Sequence, residues 1–272
     1  MCKVFIAADI EGTCGYVDWA EKQPEDGLRR EEMTGEVNAA IEGALAGGAT
    51  EIVVSDIHMR KQNIYHGRLL GKASLISGTK RKLMWMDTVQ ACDLVFLVGF
   101  HARCGTAGAV LPHTMNMLVT GLKLNGADAG EAFISAACAG HFGVPLGLAT
   151  GDRAFVEEIK SFLGDLETVA VKEAVGSCAA LNIHPKTAKL KITEAAKNAV
   201  RRGIRGEFKP FGVREPVELW LEVTWPGYAE ALSLVPGVRR KGGREILYTG
   251  SLPEVMSIIS LFVNWMEKKT FF

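Results

Sequence analysis

The sequence has no charge excess of either sign, no long apolar run and no cysteine pairing pattern. Across 272 residues, 31 basic and 31 acidic side chains cancel. That balance argues against a general nucleic-acid or membrane-surface binder, since such proteins carry a basic excess or patch. The longest apolar stretches fall well short of the ~20 residues a membrane-spanning helix needs, so neither nucleic acid nor membrane is an expected partner. The cysteines (Cys2, Cys14, Cys92, Cys104, Cys138 and Cys178) are scattered, with no CxxC pair. Free thiols in a reducing compartment are expected from that spacing, instead of a disulfide framework or a zinc ribbon. The opening "MCKVFIAADIEG" has no charged-then-apolar leader, and a cytoplasmic location is the expectation. Missing motifs narrow the chemistry further. Without GxGxxG or a P-loop, nucleotide binding has little support. Without GxSxG or HExxH, serine hydrolases and zincins lose theirs.

What is present is an alternation of short apolar runs with longer helical ones. Apolar residues make up 48% and charged residues 23%, enough apolar material for a sizeable core. Strands are expected at 3–8, 51–56, 74–78, 94–100, 144–152 and 168–174, and helices at 28–50, 130–141, 153–163 and 184–203. A helical turn or two is expected at 86–93, and a hairpin turning at the "NG" of 125–126. "IVVSD" and "LVFLVGF" show no polar alternation, which suits strands covered on both faces of a parallel sheet. The pattern predicts an α/β fold, a three-layer sandwich around a mostly parallel sheet. A glycine-, proline- and charge-rich stretch at 204–216 is the best boundary. It divides a metal-binding α/β domain, 1–205, from a smaller C-terminal α+β subdomain, 206–272. In the latter, strands "VELWLEVTW" and "REILYTG" alternate with helices near 227–235 and 252–268.

The chemistry gathers at strand ends. Strand 3–8 is followed by Asp9 and Glu11, strand 51–55 by Asp56 and His58, and strand 94–100 by His101. In an open parallel sheet the loops beyond the carboxyl ends converge on one edge, where ligands bind. Carboxylates mixed with imidazoles suit zinc or another borderline divalent ion, as two ions or as one ion with an open position. A cation also supplies the counter-charge that clustered buried acids demand. Glu131, opening a predicted helix, and His113 in "VLPHTMN" are two further candidates. Taken singly, each residue has a plainer reading. Asp9 suits a solvated loop acid, His58 an exposed loop histidine, and Glu131 a first-turn acid favoured by the helix dipole. Recurrence at three strand ends is what raises the metal reading. His66, His141 and His184 have no such setting and are expected to be structural or superficial. Asp56 either orients a ligand imidazole or caps its loop. Arg103 either binds a substrate carboxylate or makes a structural ion pair.

"ADIEG" (8–12), "SDIH" (55–58), "GFHAR" (99–103), "HTM" (113–115) and "GE" (130–131) together resemble, in order and spacing, the zinc D-aminopeptidases related to the dipeptide-operon protein DppA. The likeness continues through "LISG" (75–78), "GDRA" (151–154) and "AVK" (170–172). The resemblance implies two zinc ions per subunit, held by Asp9, Glu11, His58, His101 and Glu131, with Asp9 in the bridging position. It places His113 as the active-site histidine. It also implies a self-compartmentalising homodecamer of two stacked pentameric rings. The sequence departs from the family pattern at Ile57 and Met59, where small polar residues are usual, and at Pro112. The expected function is zinc-dependent aminopeptidase action on short peptides, D-residues included, by metal-activated water. His113 would serve as acid/base, oxyanion stabiliser or nucleophile. The competing classes are another dinuclear hydrolase, acting on non-peptide amides or phosphate esters, and a non-catalytic peptide-binding or transport accessory protein.

Overall fold

A computed structural model describes residues 1–19 and 26–266. The chain runs β1 (Lys3–Ala8), α1 (Asp26–Gly47), β2 (Glu51–Asp56), β3 (Ala73–Ile76), β4 (Leu94–Phe100), β5 (Val119–Leu124), β6 (Ala127–Asp128), α2 (Glu131–His141), β7 (Leu146–Asp152) and α3 (Arg153–Leu163). It continues through β8 (Glu167–Gly176), β9 (Ala179–Asn182), α4 (Pro185–Ile204), β10 (Val217–Val223), α5 (Pro226–Leu232), β11 (Arg239–Arg240), β12 (Glu245–Gly250) and α6 (Leu252–Met266). Residues 267–268 of the helix expected over 252–268 lie outside the described residues. Among the described residues no helix is long and apolar enough to cross a membrane.

Seven strands form the main sheet in the order β3-β2-β1-β4-β7-β8-β9. All neighbouring pairs are parallel except β8 with β9. The central strands are mostly apolar because both of their faces are covered; every residue of β4 and β7 is buried, Thr150 and Asp152 of β7 included. The chain moves one way along the sheet from β1 to β2 and the other way from β4 to β7 and β8. Right-handed crossovers therefore put α1 on one face and α2 and α3 on the other, giving the expected three layers. Helix α4 returns to pack along α1. Helix limits follow local chemistry. The Asp152 carboxylate caps α3 by accepting from Phe155 N–H at 3.0 Å, and Gly48, at φ +109°, stops α1 short of the expected residue 50.

A second, antiparallel sheet has the order β11-β12-β10-β5-β6. Its β5–β6 hairpin leaves the chain between β4 and α2, yet pairs with β10, Leu122 lying opposite Leu221. This sheet thus draws on both sides of residue 205. The alternating burial of β10 shows one covered and one wet face, and α6 packs on β10 and β12 while also touching α2. Two short strands, β9 and β11, had no signal in the sequence. At four and two residues they are too short to show a period. The region 86–93 holds only a 3₁₀ turn, Val89–Ala91.

The order reverses between β1 and β4, the place where an α/β sheet opens a crevice. Here the two strand tips are bolted together. Asp9 N–H donates to Val98 O and Gly12 N–H to Gly99 O, both at 2.8 Å. A side chain on Gly12 would start 1.8 Å from Phe100 O, and Gly99 sits at φ +72° with Asp9 O 2.4 Å from any Cβ. Only glycine permits this approach at either position.

Candidate metal centre

Asp9 and Glu11 leave β1, His58 follows β2, His101 follows β4 and Glu131 opens α2. The structure brings all five to the carboxyl edge of the sheet, and His113 joins them from the loop before β5; all six are buried. His58 Nδ1 lies 2.8 Å from Glu11 Oε2 and 3.5 Å from Asp9 Oδ1. His101 Nε2 lies 3.5 Å from Asp9 Oδ2 and 3.3 Å from Glu131 Oε1. His113 Nε2 stands slightly farther off, 3.7 Å from Glu11 Oε1 and 3.9 Å from Glu131 Oε1. Its ring stacks on His101 with centroids 3.9 Å apart and planes inclined by 14°.

Neighbouring groups fix these side chains. Asp9 Oδ1 accepts from Ile10 N–H at 2.9 Å, Glu11 Oε1 from the Trp19 indole at 3.0 Å, and Glu131 Oε1 from Met115 N–H at 2.8 Å. The Nδ1 of His101 faces Ala102 O at 3.0 Å, and that of His113 faces Leu111 O at 2.9 Å. A carbonyl only accepts, so each Nδ1 carries the proton and each Nε2 presents a lone pair when the ring is neutral. Leu111 and Met115, on either side of His113, sit at φ +51° and +65°. Left-handed backbone at bulky residues stores strain and fixes the loop in a single shape.

The cluster is rich in acceptors. Among the described residues, the only ion-pair partners of Asp9, Glu11 and Glu131 are the three imidazoles. Glu11 Oε2 and His101 Nε2 are buried with no aligned hydrogen-bond partner among the described residues, an arrangement that costs free energy unless something else engages them. Burial first, and then the Glu11 charge, pushes Asp9 up to about 8. Burial opposes a charged His101, yet Glu131, Asp9 and Glu11 together lift it to about 10. Burial opposes charge on Glu11 and Glu131, yet the His58 and His101 charges hold both below the usual carboxylate range, so Asp9 is the carboxylate that a further cation would ionise. Two donor sets, Asp9/Glu11/His101 and His101/His113/Glu131, each offer ligand atoms within 4.8 Å of one another. Oxygen and imidazole nitrogen in such sets fit zinc or a similar ion.

Above the cluster opens a cavity of about 320 Å³, walled by Trp19, Ile57, Met59, Trp85, Met115 and Met117. Such a mix of apolar walls and a few convergent polar groups is the usual form of a small-molecule site. The remaining candidates fall elsewhere. Asp56 accepts from the backbone N–H of Asn63 and Ile64 and from the Asn63 amide, which itself donates to His58 O at 2.8 Å. It caps the loop and leaves the His58 ring alone. Arg103 pairs with Asp128 at 3.3 Å. His141 pairs with Glu215 at 3.0 Å, His184 caps α4, and His66 is exposed.

Sequence reading missed Trp19, which lies in a stretch without periodicity, and also Glu36 and Lys172. Alternation along "TVAVKEA" puts Lys172 on the face opposite Val169 and Val171, where a lysine reads as solvated, yet it is only 2% exposed.

The family model for peptidase family M55, D-aminopeptidase, matches residues 2–261. The chain belongs to this family. It is therefore a peptide hydrolase. A D-aminopeptidase of Bacillus subtilis (strain 168) is 30% identical over 250 residues, covering 89% of this chain and 88% of the relative. Among solved structures, the peptidase superposes with a TM-score of 0.91 on the "Zn-dependent D-aminopeptidase DppA from Bacillus subtilis, a self-compartmentalizing protease", at 24% identity. That match covers 99% of this chain and 100% of the other. At that identity the second likeness speaks for the fold, and the α/β architecture agrees with it.

Proposed function

We propose that the protein is a zinc-dependent aminopeptidase that removes the N-terminal residue, D-residues included, from short peptides. The observation that carries this reading is the buried cluster of three carboxylates and three imidazoles, with Glu11 Oε2 and His101 Nε2 left without aligned partners among the described residues. Asp9, Glu11, His58, His101 and Glu131 would hold the metal, Asp9 from the centre of the set. Zinc, when bound, acidifies a water toward neutrality and polarises the scissile carbonyl.

The chain's own groups do the rest. His113 keeps its proton on Nδ1 through Leu111 O, so Nε2 faces the cavity as a base. Burial first, and then the His101 charge, lowers its proton affinity. It accepts a proton from the attacking water and returns it to the leaving amine. In the ground state this tautomer has no proton on Nε2 with which to stabilise an oxyanion. The indole and thioether walls give the peptide an apolar lining beside the cluster.

A count of two zinc ions per subunit and a homodecamer of two pentameric rings belong to the same proposal. They rest on the family resemblance and on a fold relative described as self-compartmentalizing. A cytoplasmic location accords with six free thiols. Metal analysis of the purified protein, paired with a panel of D- and L-aminoacyl dipeptides and one phosphate ester, tests the reading. Chelator-reversible dipeptide hydrolysis is the expected result. Two equivalents of zinc with turnover of the phosphate ester alone would transfer the site to another hydrolase class.

A further inference from the structure

Lys172 stands on β8, with β4 and β7 lying between it and β1, yet its ammonium reaches the loop that carries Glu11. It donates to the backbone carbonyls of Glu11, Thr13 and Tyr16, at 2.9 Å in the case of Thr13. An ammonium has three protons, and all three are engaged. With only 2% of the residue exposed, water plays little part in holding the charge. The loop's amides are held just as fully. Cys14 N–H donates to the buried carboxylate of Glu36 on α1, and Gly15 N–H to the side chain of Asn182 on β9, both at 2.8 Å. Gly12 and Thr13 N–H bond to Gly99 O and Ile10 O. Three carbonyls within a short loop converge on one point, a shape that their mutual repulsion opposes and a cation at the centre stabilises.

One of those carbonyls belongs to Glu11 itself. Fixing the peptide plane after Glu11 constrains the backbone from which its side chain starts, and the carboxylate at the far end reaches 2.8 Å from His58 Nδ1 and accepts from Trp19. We propose that Lys172 is a positioning residue of the metal centre: its ammonium shapes the 11–16 loop so that the Glu11 carboxylate is aimed into the cluster before any ion arrives. The inference rests on the metallopeptidase reading and adds to it a residue that touches neither metal nor substrate.

The test uses the full-length protein and zinc alone as the probe, by competition with a chromogenic chelator, together with the electronic spectrum of the cobalt-substituted protein. Lys172→Met, shown to be folded by circular dichroism and unchanged in size, is expected to bind zinc at least tenfold more weakly. Its cobalt spectrum should shift, and kcat should fall more than KM rises. A folded variant with wild-type zinc affinity and cobalt spectrum overturns the proposal and leaves the metallopeptidase intact. A wild-type protein that binds no zinc removes both. Where Lys172→Met does not fold, hydrogen exchange on the wild type decides. The amides of 12–16 should be protected equally with and without zinc. Protection that arises only on zinc addition means that the ion shapes the loop, and the role of Lys172 falls.

Discussion

His113→Ala separates the base from the ligands. Nε2 of His113 stands 3.7 and 3.9 Å from its nearest carboxylate oxygens, whereas the other two imidazoles approach theirs within 2.8 to 3.5 Å. The variant should therefore keep its full complement of zinc, measured per chain by elemental analysis. Loss of a general base costs roughly 10²–10⁴ in rate, which is about 3–5 kcal/mol of barrier at 1.36 kcal/mol per decade. Part of the effect is structural. Leu111 O loses its donor and His101 its stacking partner, so stability should fall by about 1–3 kcal/mol while the protein stays folded. The pH profile gives an independent reading. Burial, and then the His101 charge, holds His113 below the ordinary histidine value, and a cation in the cluster acts in the same direction. The acid limb of kcat/KM in the wild type should accordingly lie below pH ~6.5, and the residual activity of the variant should lack it. Turnover within threefold of wild type at full zinc loading would remove His113 from the chemistry. Loss of a zinc equivalent would instead make it a ligand.

Other consequences follow from the same geometry. Trp19→Phe takes away the indole donor 3.0 Å from Glu11 Oε1, and zinc affinity should drop roughly 10–100-fold; an unchanged chelator competition curve would refute this. Gly12→Ala sets a Cβ 1.8 Å from Phe100 O, a backbone atom that cannot step aside. The strand tips should part at a cost near the upper end of overpacking, about 3 kcal/mol, and a wild-type urea midpoint would sink the argument. Glu36 is raised from 4.5 to about 7, by burial first and then by Glu32, against the pull of Cys14 N–H. The folded protein keeps that proton between those two values while the unfolded chain has lost it, so this group's contribution to stability falls as pH climbs through the window. Glu36→Gln keeps an acceptor for Cys14 N–H and removes the titration. Its advantage over wild type should grow from pH 5 to pH 8 by up to about 3 kcal/mol, and parallel denaturation curves at the two pH values would show the idea to be wrong.

Much of the main sheet could be read from residue order alone, because burial on both faces writes continuous apolar runs such as "LVFLVGF" into the chain. The same logic exposed the acids and histidines at 9, 11, 58 and 101, since strand direction sends every such tip to one edge. Glu131 and His113 stood out only as further candidates, one at a helix start and one in a loop; kinship gave them roles, and folding brought them within contact of the others. What the sequence could not carry was anything that depends on which strands become neighbours. The pairing of β5 with β10 joins residues nearly a hundred positions apart, as Leu122 with Leu221 illustrates. Local pattern has no access to such pairing. Trp19, Glu36 and Lys172 are ordinary residues in sequence, and they matter because the fold closes them around a single loop. Composition and period record what a residue's immediate surroundings must be. The partners of a buried charge are set by chain reversal in space, and only the tertiary structure decides them.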